Sequence, residues 1–279
     1  MSGFGDFAAP EGARLRRYLG RGELLEAALV ERGDALVVAK RVCRGREAEP
    51  EAAEALVREA RALSLVALPG LPRLVGVGSD EHGPYLLQTE VPGLSLSQLG
   101  EAWSGPLPPY LARHLAARAA RLVSALHAAP AVDGSPLELV HGDLGPVHLL
   151  VAPHGELGLI DFGSSSSLQH RGPASARGTL PYVAPELARG EAPPSQATDR
   201  YALSVLIAEL LLGARLLSVP PGPSTLLTIA EHGHGLSAFD GAGLAPSLTE
   251  ALRAQLCFAP SARPPDLSGL LAALEARGR

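Results

Sequence analysis

Asparagine is absent from this 279-residue chain and lysine occurs once, at Lys40; the other basic side chains are arginine or histidine. A coding bias against A/T-rich codons produces both depletions, so neither speaks to chemistry by itself. The surviving lysine says more, because arginine supplies ordinary surface charge but is not a compact point charge. Cysteine is scarce as well. Cys43 and Cys257 cannot form a disulfide framework, and no Cys-x-x-Cys pair or Cys/His cluster reads as a metal site. No uncharged apolar run reaches the roughly 18 residues of a membrane-spanning helix, so no membrane segment is expected. Residues 1–10 lack the basic and apolar regions of a signal peptide, which makes a reducing, cytoplasmic compartment the expectation. The formal net charge of −5 offers no global basic field to a nucleic acid, and none is expected as a partner. Glycine (31) and proline (25) make up about one residue in five, below the roughly 25–30% of low-complexity chains. With 46% hydrophobic residues, the chain can build one large domain or two small ones with real cores.

Residues 1–12, rich in glycine and alanine, read as a loose, flexible leader. Residues 18–22, 24–30 and 35–40 read as strands and turns, with a hairpin at Arg32-Gly33-Asp34. Residues 50–67 carry Leu56, Val57, Ala60, Leu63 and Ala67 at helical spacing. Two further strands are predicted over 71–77 and 85–91. After Pro92-Gly93 the pattern turns helical, with an amphipathic helix over 110–129, a nearly continuous apolar helix over 201–212 and helices over 247–256 and 267–274. Residues 140–163 hold two short strands, and residues 220–243 form a long stretch rich in Gly, Pro and Ser. A small β-rich lobe thus joins a larger helical lobe near residues 89–93, and a cleft between two such lobes is a usual ligand site.

Two acids stand out. Asp143, in Val140-His141-Gly142-Asp143-Leu144, and Asp161, in Asp161-Phe162-Gly163, each follow an apolar segment, and a hairpin between them would return both to one end of a sheet. Two carboxylates at one cleft edge suit a base and a metal ligand. At this point the chain resembles the eukaryotic-type protein kinase domain, in its bacterial Ser/Thr-kinase-like form. Gly20-Arg21-Gly22 resembles the start of the glycine-rich loop, and Val37-Val38-Ala39-Lys40 the strand with the ATP-contacting lysine. Arg58-Glu59-Ala60 lies where the regulatory helix carries the lysine-pairing glutamate. His141-Gly142-Asp143 resembles the catalytic loop and Asp161-Phe162-Gly163 the metal-binding motif. The stretch from Gly178 to Glu186 resembles the end of the activation segment. Asp199 matches the aspartate that braces the catalytic loop, and Arg263 the arginine that pairs with Glu186.

The resemblance implies an α+β, bilobal protein-kinase-like fold, with a small β-rich N-lobe holding one main helix and a larger, mainly helical C-lobe. It implies one kinase domain over residues 13–279, divided into N-lobe (13–88), hinge (89–93) and C-lobe (94–279). Catalytic roles fall to Asp143, Lys40 and Glu59. ATP contacts fall to Gly20, Gly22, Ala27, Val38, Lys40, Thr89, Val91 and Leu150, with Gln88 guarding the back of the pocket. Asp161 and His148 stand at the metal positions, for Mg²⁺ or Mn²⁺. Leu63, Leu74, His141 and Phe162 match the hydrophobic column that joins the lobes.

The chain departs from the pattern at four positions. His148 replaces the asparagine that binds the second metal ion, and imidazole suits Mg²⁺ poorly. Gly145 replaces a lysine that contacts the γ-phosphate, Leu25 replaces the third glycine of the loop, and Gly142 replaces the arginine that pairs with a phosphorylated activation segment. The expected function is therefore transfer of the ATP γ-phosphate to Ser/Thr hydroxyls of a protein substrate, with weak activity. The alternatives are a pseudokinase that binds nucleotide or protein without transfer, and a small-molecule kinase of the aminoglycoside or choline type, which shares His-Gly-Asp. The identity of the substrate or partner is not readable from the chain. Ser164 to Ser167, Ser175 and Thr179 make the activation segment hydroxyl-rich, and His232-Gly233-His234, with no further ligand nearby, reads as a loop.

Overall fold

Alternating aliphatic and polar residues in the first ninety positions favour strands with one buried face. The computed structural model describes residues 7–103, 105–131, 134–168, 179–217 and 222–276. In it β1 (Ala13–Arg21), β2 (Leu25–Arg32), β3 (Ala35–Val42), β4 (Leu74–Asp80) and β5 (Gly83–Gln88) form one antiparallel sheet, in the order β1-β2-β3-β5-β4. Arg32 pairs with Ala35, so Gly33-Asp34 is a two-residue hairpin loop, and the positive φ of Gly33 suits it. The predicted strands over 71–77 and 85–91 are displaced. β4 starts only after Pro72, which cannot donate to a ladder, and β5 stops at Gln88.

Strand register sorts the sheet into two faces. Val30 pairs with Val37, Ala28 with Ala39, and Ala39 with Leu87; all five, with Phe7, form the outer apolar cluster. The other face carries Ala27 opposite Lys40, Leu29 opposite Val38, and Val38 and Lys40 opposite Gln88 and Leu86. Phe7 corrects the reading of a loose leader over 1–12. Its ring is buried in the outer cluster and lies 6.4 Å from that of Tyr18, while Arg41 Nε donates to the Ala8 carbonyl. Residues 1–6 lie outside the described residues.

α1 (Pro50–Leu65) packs under the inner face. Its buried residues are Ala52, Ala55, Leu56, Glu59, Ala62 and Leu63; of the predicted stripe Leu56 and Leu63 are buried, Ala60 is half-buried, Val57 is exposed, and Ala67 is exposed beyond the end of the helix. A glutamate lies on the buried face, which hydropathy alone would keep outside.

The carboxy-terminal lobe is built around α5 (Gln196–Leu212), buried from Thr198 to Ala208. It begins five residues before its predicted start because Ser195 and Thr198 form a capping box. α3 (Pro109–His127) packs on it, with α7 (Pro246–Gln255) and α8 (Ser268–Glu275) behind. α2 (Leu96–Ala102) leads away from a small antiparallel sheet of β6 (Leu94–Ser95), β7 (Leu149–Val151) and β8 (Leu157–Leu159). α4 (Pro185–Ala188) and α6 (Pro223–His232) complete the lobe, and α6 gives regular structure to part of the Gly/Pro/Ser-rich stretch over 220–243. One apolar core runs from Ala62 and Leu63 of α1, and Val66 just after it, through Phe162 to α5 and α8, so the lobes share a continuous interior. The expected α+β, bilobal architecture is the observed one.

Glu186 and Arg263 meet in this lobe through two contacts, of 2.6 and 2.7 Å, with side-chain exposures of 4% and 0%. Arg263 also donates to the Cys257 and Phe258 carbonyls and stacks over the Tyr201 ring. Removing one member of such a pair strands a buried charge, at about 3–5 kcal/mol. Glu186→Ala is therefore expected to lose about that much unfolding free energy in denaturant titrations. A loss within experimental error would show that the pair does not hold the lobe together.

Candidate active site

Lys40 is the centre of the site. It projects from the inner face of β3, is 7% exposed, and holds both carboxylate oxygens of Glu59 at 2.7 and 2.8 Å. Asp161 Oδ1 lies 3.3 Å from the same Nζ. Burial works against the ammonium charge, but Asp161 and Glu59 outweigh it and hold the Lys40 pKa above its ordinary value. Burial raises the pKa of Glu59 even against Lys40. For Asp161 burial is again the largest influence, yet the charges of Lys40, His148 and His141 hold its carboxyl well below the usual range.

Asp161 has φ +71, a left-handed backbone that a non-glycine residue adopts only where its surroundings enforce it. Here Phe162 does so in part. Its ring is fully buried and meets the His141 ring edge-on at 5.0 Å. Leu63 and Leu74 belong to or pack on the same core, so the four predicted column residues are assembled. Arg58 Nε donates to the Gly163 carbonyl at 2.7 Å, a second tie between α1 and this turn.

Asp199 organises the other acid. Its carboxylate accepts from the backbone N–H groups of His141 and Gly142, at 2.8 and 2.9 Å, and lies 3.0 Å from His127 Nε2. Burial disfavours its charge, but the bond and charge of His127 lead the influences that keep its pKa low. Gly142 sits at φ +82, and a Cβ there would come within 2.5 Å of the Ser164 carbonyl oxygen. Any larger residue at this position would displace the strand-like bridge between Val140 and Ser166.

Asp143 and Asp161 converge on His148, as the predicted hairpin requires. His148 Nδ1 is 2.8 Å from the Asp143 carbonyl, to which it donates, and 3.8 Å from Asp143 Oδ2. In a neutral ring Nε2 then carries the lone pair, and it lies 3.5 Å from Asp161 Oδ2. Thr179 was singled out in the sequence only as a hydroxyl; it donates from both N and Oγ1 to Asp143 Oδ1, at 2.7 and 2.9 Å. Gly145 makes room for it, since a Cβ at 145 would lie 3.0 Å from Thr179 Oγ1. Ser175 lies outside the described residues.

The remaining predicted positions are distributed as follows. Ala27 and Val38 share the Lys40 face of the sheet. Gly20 pairs with Ala27 at the end of β1, and Gly22 is exposed in the turn that follows. The Gly22 N–H is already bonded to the Leu25 carbonyl at 2.8 Å. Leu24, at the loop tip, is buried against Ala52 and Ala55 of α1, so leucines, not a third glycine, anchor this loop. Thr89 is fixed to Arg73 by two bonds, one through its N–H and one through its hydroxyl. Val91 packs its side chain toward Gly158, and Leu150 lies on β7 beside Gly158 and Ser95.

A buried lysine clamped between a helix glutamate and a metal-type aspartate, beside a braced catalytic-type loop in a bilobal frame, is the layout of a protein kinase. A family model described as "Protein kinase domain" matches residues 14–238, and the chain belongs to that family. Among its relatives, the serine/threonine-protein kinase PrkC of Bacillus subtilis (strain 168) is 28% identical over 161 residues, covering 56% of this chain and 23% of that protein. The serine/threonine-protein kinase PknL of Mycobacterium tuberculosis is 31% identical over 161 residues, covering 56% and 37%. The serine/threonine-protein kinase MRCK gamma of Mus musculus is 30% identical over 209 residues, covering 71% and 13%. The chain spans less than two thirds of the length of the curated relatives it matches, 65% at most among these and their neighbours.

The segment that holds Asp143 has its own support in His234. The predicted His232-Gly233-His234 loop has a buried member. His234 Nε2 is 2.6 Å from the Pro181 carbonyl, to which it donates, and Nδ1 is 2.8 Å from the Tyr201 hydroxyl. Burial lowers the His234 pKa to about 4. A folded-state pKa below the ordinary 6.5 means that the unfolded chain takes up the proton first. The contribution of the neutral ring is thus present above pH 6.5 and lost as pH falls toward 4, by about 3 kcal/mol. His234→Gln, which can keep both bonds without titrating, should lose less stability than wild type between pH 7 and pH 4. Parallel losses in unfolding titrations would exclude His234 as the titrating group.

Proposed function

We propose that this domain binds ATP with Mg²⁺ or Mn²⁺ and transfers the γ-phosphate to a Ser/Thr hydroxyl of a protein substrate, with weak activity. The observation that carries the reading is the Lys40 ammonium held between Glu59 and Asp161. Lys40 neutralises the α- and β-phosphates as a point charge, and Glu59 keeps it aimed. Ala27, Val38 and Leu150 offer apolar contact to the base, Thr89 and Val91 offer backbone groups, and Gly20 and Gly22 line the loop above. Asp143 takes the hydroxyl proton as the acceptor oxygen bonds to phosphorus and the bond to the ADP oxygen breaks. Thr179 occupies one Asp143 oxygen, leaving Oδ2 for that proton.

No group of three or more His, Cys, Asp and Glu among the described residues is arranged to hold a metal alone. Asp161 and His148 together supply one hard oxygen and one imidazole nitrogen, a donor pair that fits a metal completed by phosphate and water oxygens and favours Mn²⁺ over Mg²⁺. Such a metal, when bound, would neutralise charge on the phosphates.

The runner-up is a pseudokinase that binds nucleotide without transfer. Gly145 favours it, because the space of the γ-phosphate lysine is taken by Thr179. A small-molecule kinase fits less well, since the Glu186–Arg263 pair and the segment before it follow the protein-kinase pattern. Among the described residues no helix is long and apolar enough to cross a membrane. A cytoplasmic location belongs to this proposal, as do a protein substrate and the lobe boundaries at residues 88 and 94.

Thermal-shift titration with ATP and each metal tests the reading. At about 100 times Kd, ATP should add about 2.7 kcal/mol of stability. Asp161→Ala and Lys40→Met should each remove that gain, and Lys40→Met should also lower basal stability by leaving Glu59 unpaired. His148→Asn, which offers a carbonyl oxygen, should shift preference from Mn²⁺ to Mg²⁺ and raise ADP release by about tenfold. ATP binding without turnover in wild type and His148→Asn, with either metal, would establish the pseudokinase; ATP stabilisation unchanged in both site variants would remove the nucleotide site from here.

A further inference from the structure

α2 and α5 line an open pocket of about 410 Å³. Leu96 and Leu99 come from α2, at i and i+3, and Leu206 and Leu210 from α5, at i and i+4. Such spacing puts each pair on one helix face. Leu107, between α2 and α3, and Pro146 complete the apolar lining.

Two short links of chain join this pocket to the candidate active site. Pro146 follows Asp143 by three residues, and Tyr182, which also lines the pocket, follows Thr179 by three. The Tyr182 N–H donates to the Thr179 carbonyl at 2.8 Å, and Thr179 holds Asp143 Oδ1. Three residues of chain span at most about 11 Å. A side chain seated in the pocket therefore belongs to a residue only a few positions from the hydroxyl that meets Asp143. Val147, beside Pro146, is a further aliphatic on the exposed surface of that loop.

Charge decides what the pocket takes. Glu209 of α5 is 9% exposed, and both of its oxygens are engaged. Oε2 accepts from the Tyr182 hydroxyl at 2.8 Å and from Arg215 Nη1 at 2.9 Å, and Oε1 accepts from the Leu216 N–H at 3.0 Å. Arg215 Nη1 also donates to the Tyr182 hydroxyl, and its guanidinium lies 5.7 Å from the centre of that ring. Arg215 thus neutralises Glu209 from within the chain. Glu101, the other acid in the lining, is exposed, and an exposed ion pair contributes little.

We infer that this pocket is a substrate-recognition subsite that takes an aliphatic side chain of the acceptor protein, a few residues from the phosphorylated hydroxyl; this rests on the protein-substrate reading above. A leucine-sized side chain leaves water for the leucines of two helices. An arginine would lose hydration without meeting an unneutralised carboxylate. Arg215 is the specificity-determining residue, because it cancels the one buried negative charge of the pocket.

The probe is a set of alanine- and glycine-based peptides centred on one serine, with a single leucine or arginine placed in turn at each flanking position. Fluorescence anisotropy with ATP and Mn²⁺ gives the peptide dissociation constants, and phosphate incorporation gives turnover. In wild type, leucine at one position should tighten binding by about tenfold over alanine, the scale of burying one aliphatic side chain. Arginine at that position should bring no gain. Leu99→Gln, at a half-buried residue, should remove the leucine gain. Arg215→Ala should create a gain for arginine, since Glu209 is then without its cation, and Glu101→Gln should change neither preference. A wild-type preference for arginine, or a leucine gain that survives Leu99→Gln, overturns the subsite and leaves the transfer reading in place. So does phosphorylation of the peptides with no preference for leucine. A leucine gain lost in Leu99→Gln supports the subsite even without turnover. No binding and no phosphorylation of any peptide, by a protein that ATP stabilises, overturns the protein-substrate reading, and the subsite falls with it.

Discussion

One ion pair sets the geometry of this domain. Glu59 is fully buried on α1 and Lys40 nearly so on β3, so neither can lose the other without leaving a desolvated charge. Their bond fixes the rotation of α1 beneath the sheet. That rotation places Leu63 against the shared core and Arg58 on the Gly163 carbonyl. The turn at Asp161 then follows, with its left-handed backbone and its carboxylate beside the same ammonium. A single point charge thus ties the sheet, the helix and the Asp161 turn together.

The departures from the kinase pattern form a connected set. Gly142 accommodates the Ser164 carbonyl, Gly145 accommodates Thr179, and Thr179 holds one oxygen of Asp143. His148 spans the gap between the two acids, with Nδ1 on the Asp143 carbonyl and Nε2 3.5 Å from Asp161 Oδ2. On the proposed nucleotide reading, Gly145 and His148 leave less positive charge and hard oxygen at the γ-phosphate end than the family pattern has, while Lys40 keeps both Glu59 and Asp161. The loop is altered in the same spirit, with Leu24 anchored on α1 in place of a glycine-lined arch.

Much of this was legible in the chain. The order of motifs gave the two lobes, the lone lysine and the two aspartates, because each needs a fixed residue type in a fixed local frame. Glu59 was found by its motif and not by periodicity, since a buried glutamate violates the helical pattern that locates cores. The capping box at Ser195, the packing of Phe7 and the helix over residues 223–232 were missed, because each depends on partners distant in sequence or on one local hydrogen bond.

The sequence by itself determined the fold class and the identities of the charged groups, since backbone periodicity and residue chemistry are local properties. Only the tertiary structure decided how those groups are used. The placement of His148 between two acids, the Thr179 contact on Asp143, the buried His234 and the unpaired oxygen of Gln88 all arise where separate segments meet. Whether a polar atom is satisfied depends on the neighbours that folding brings to it, and no linear pattern records those neighbours.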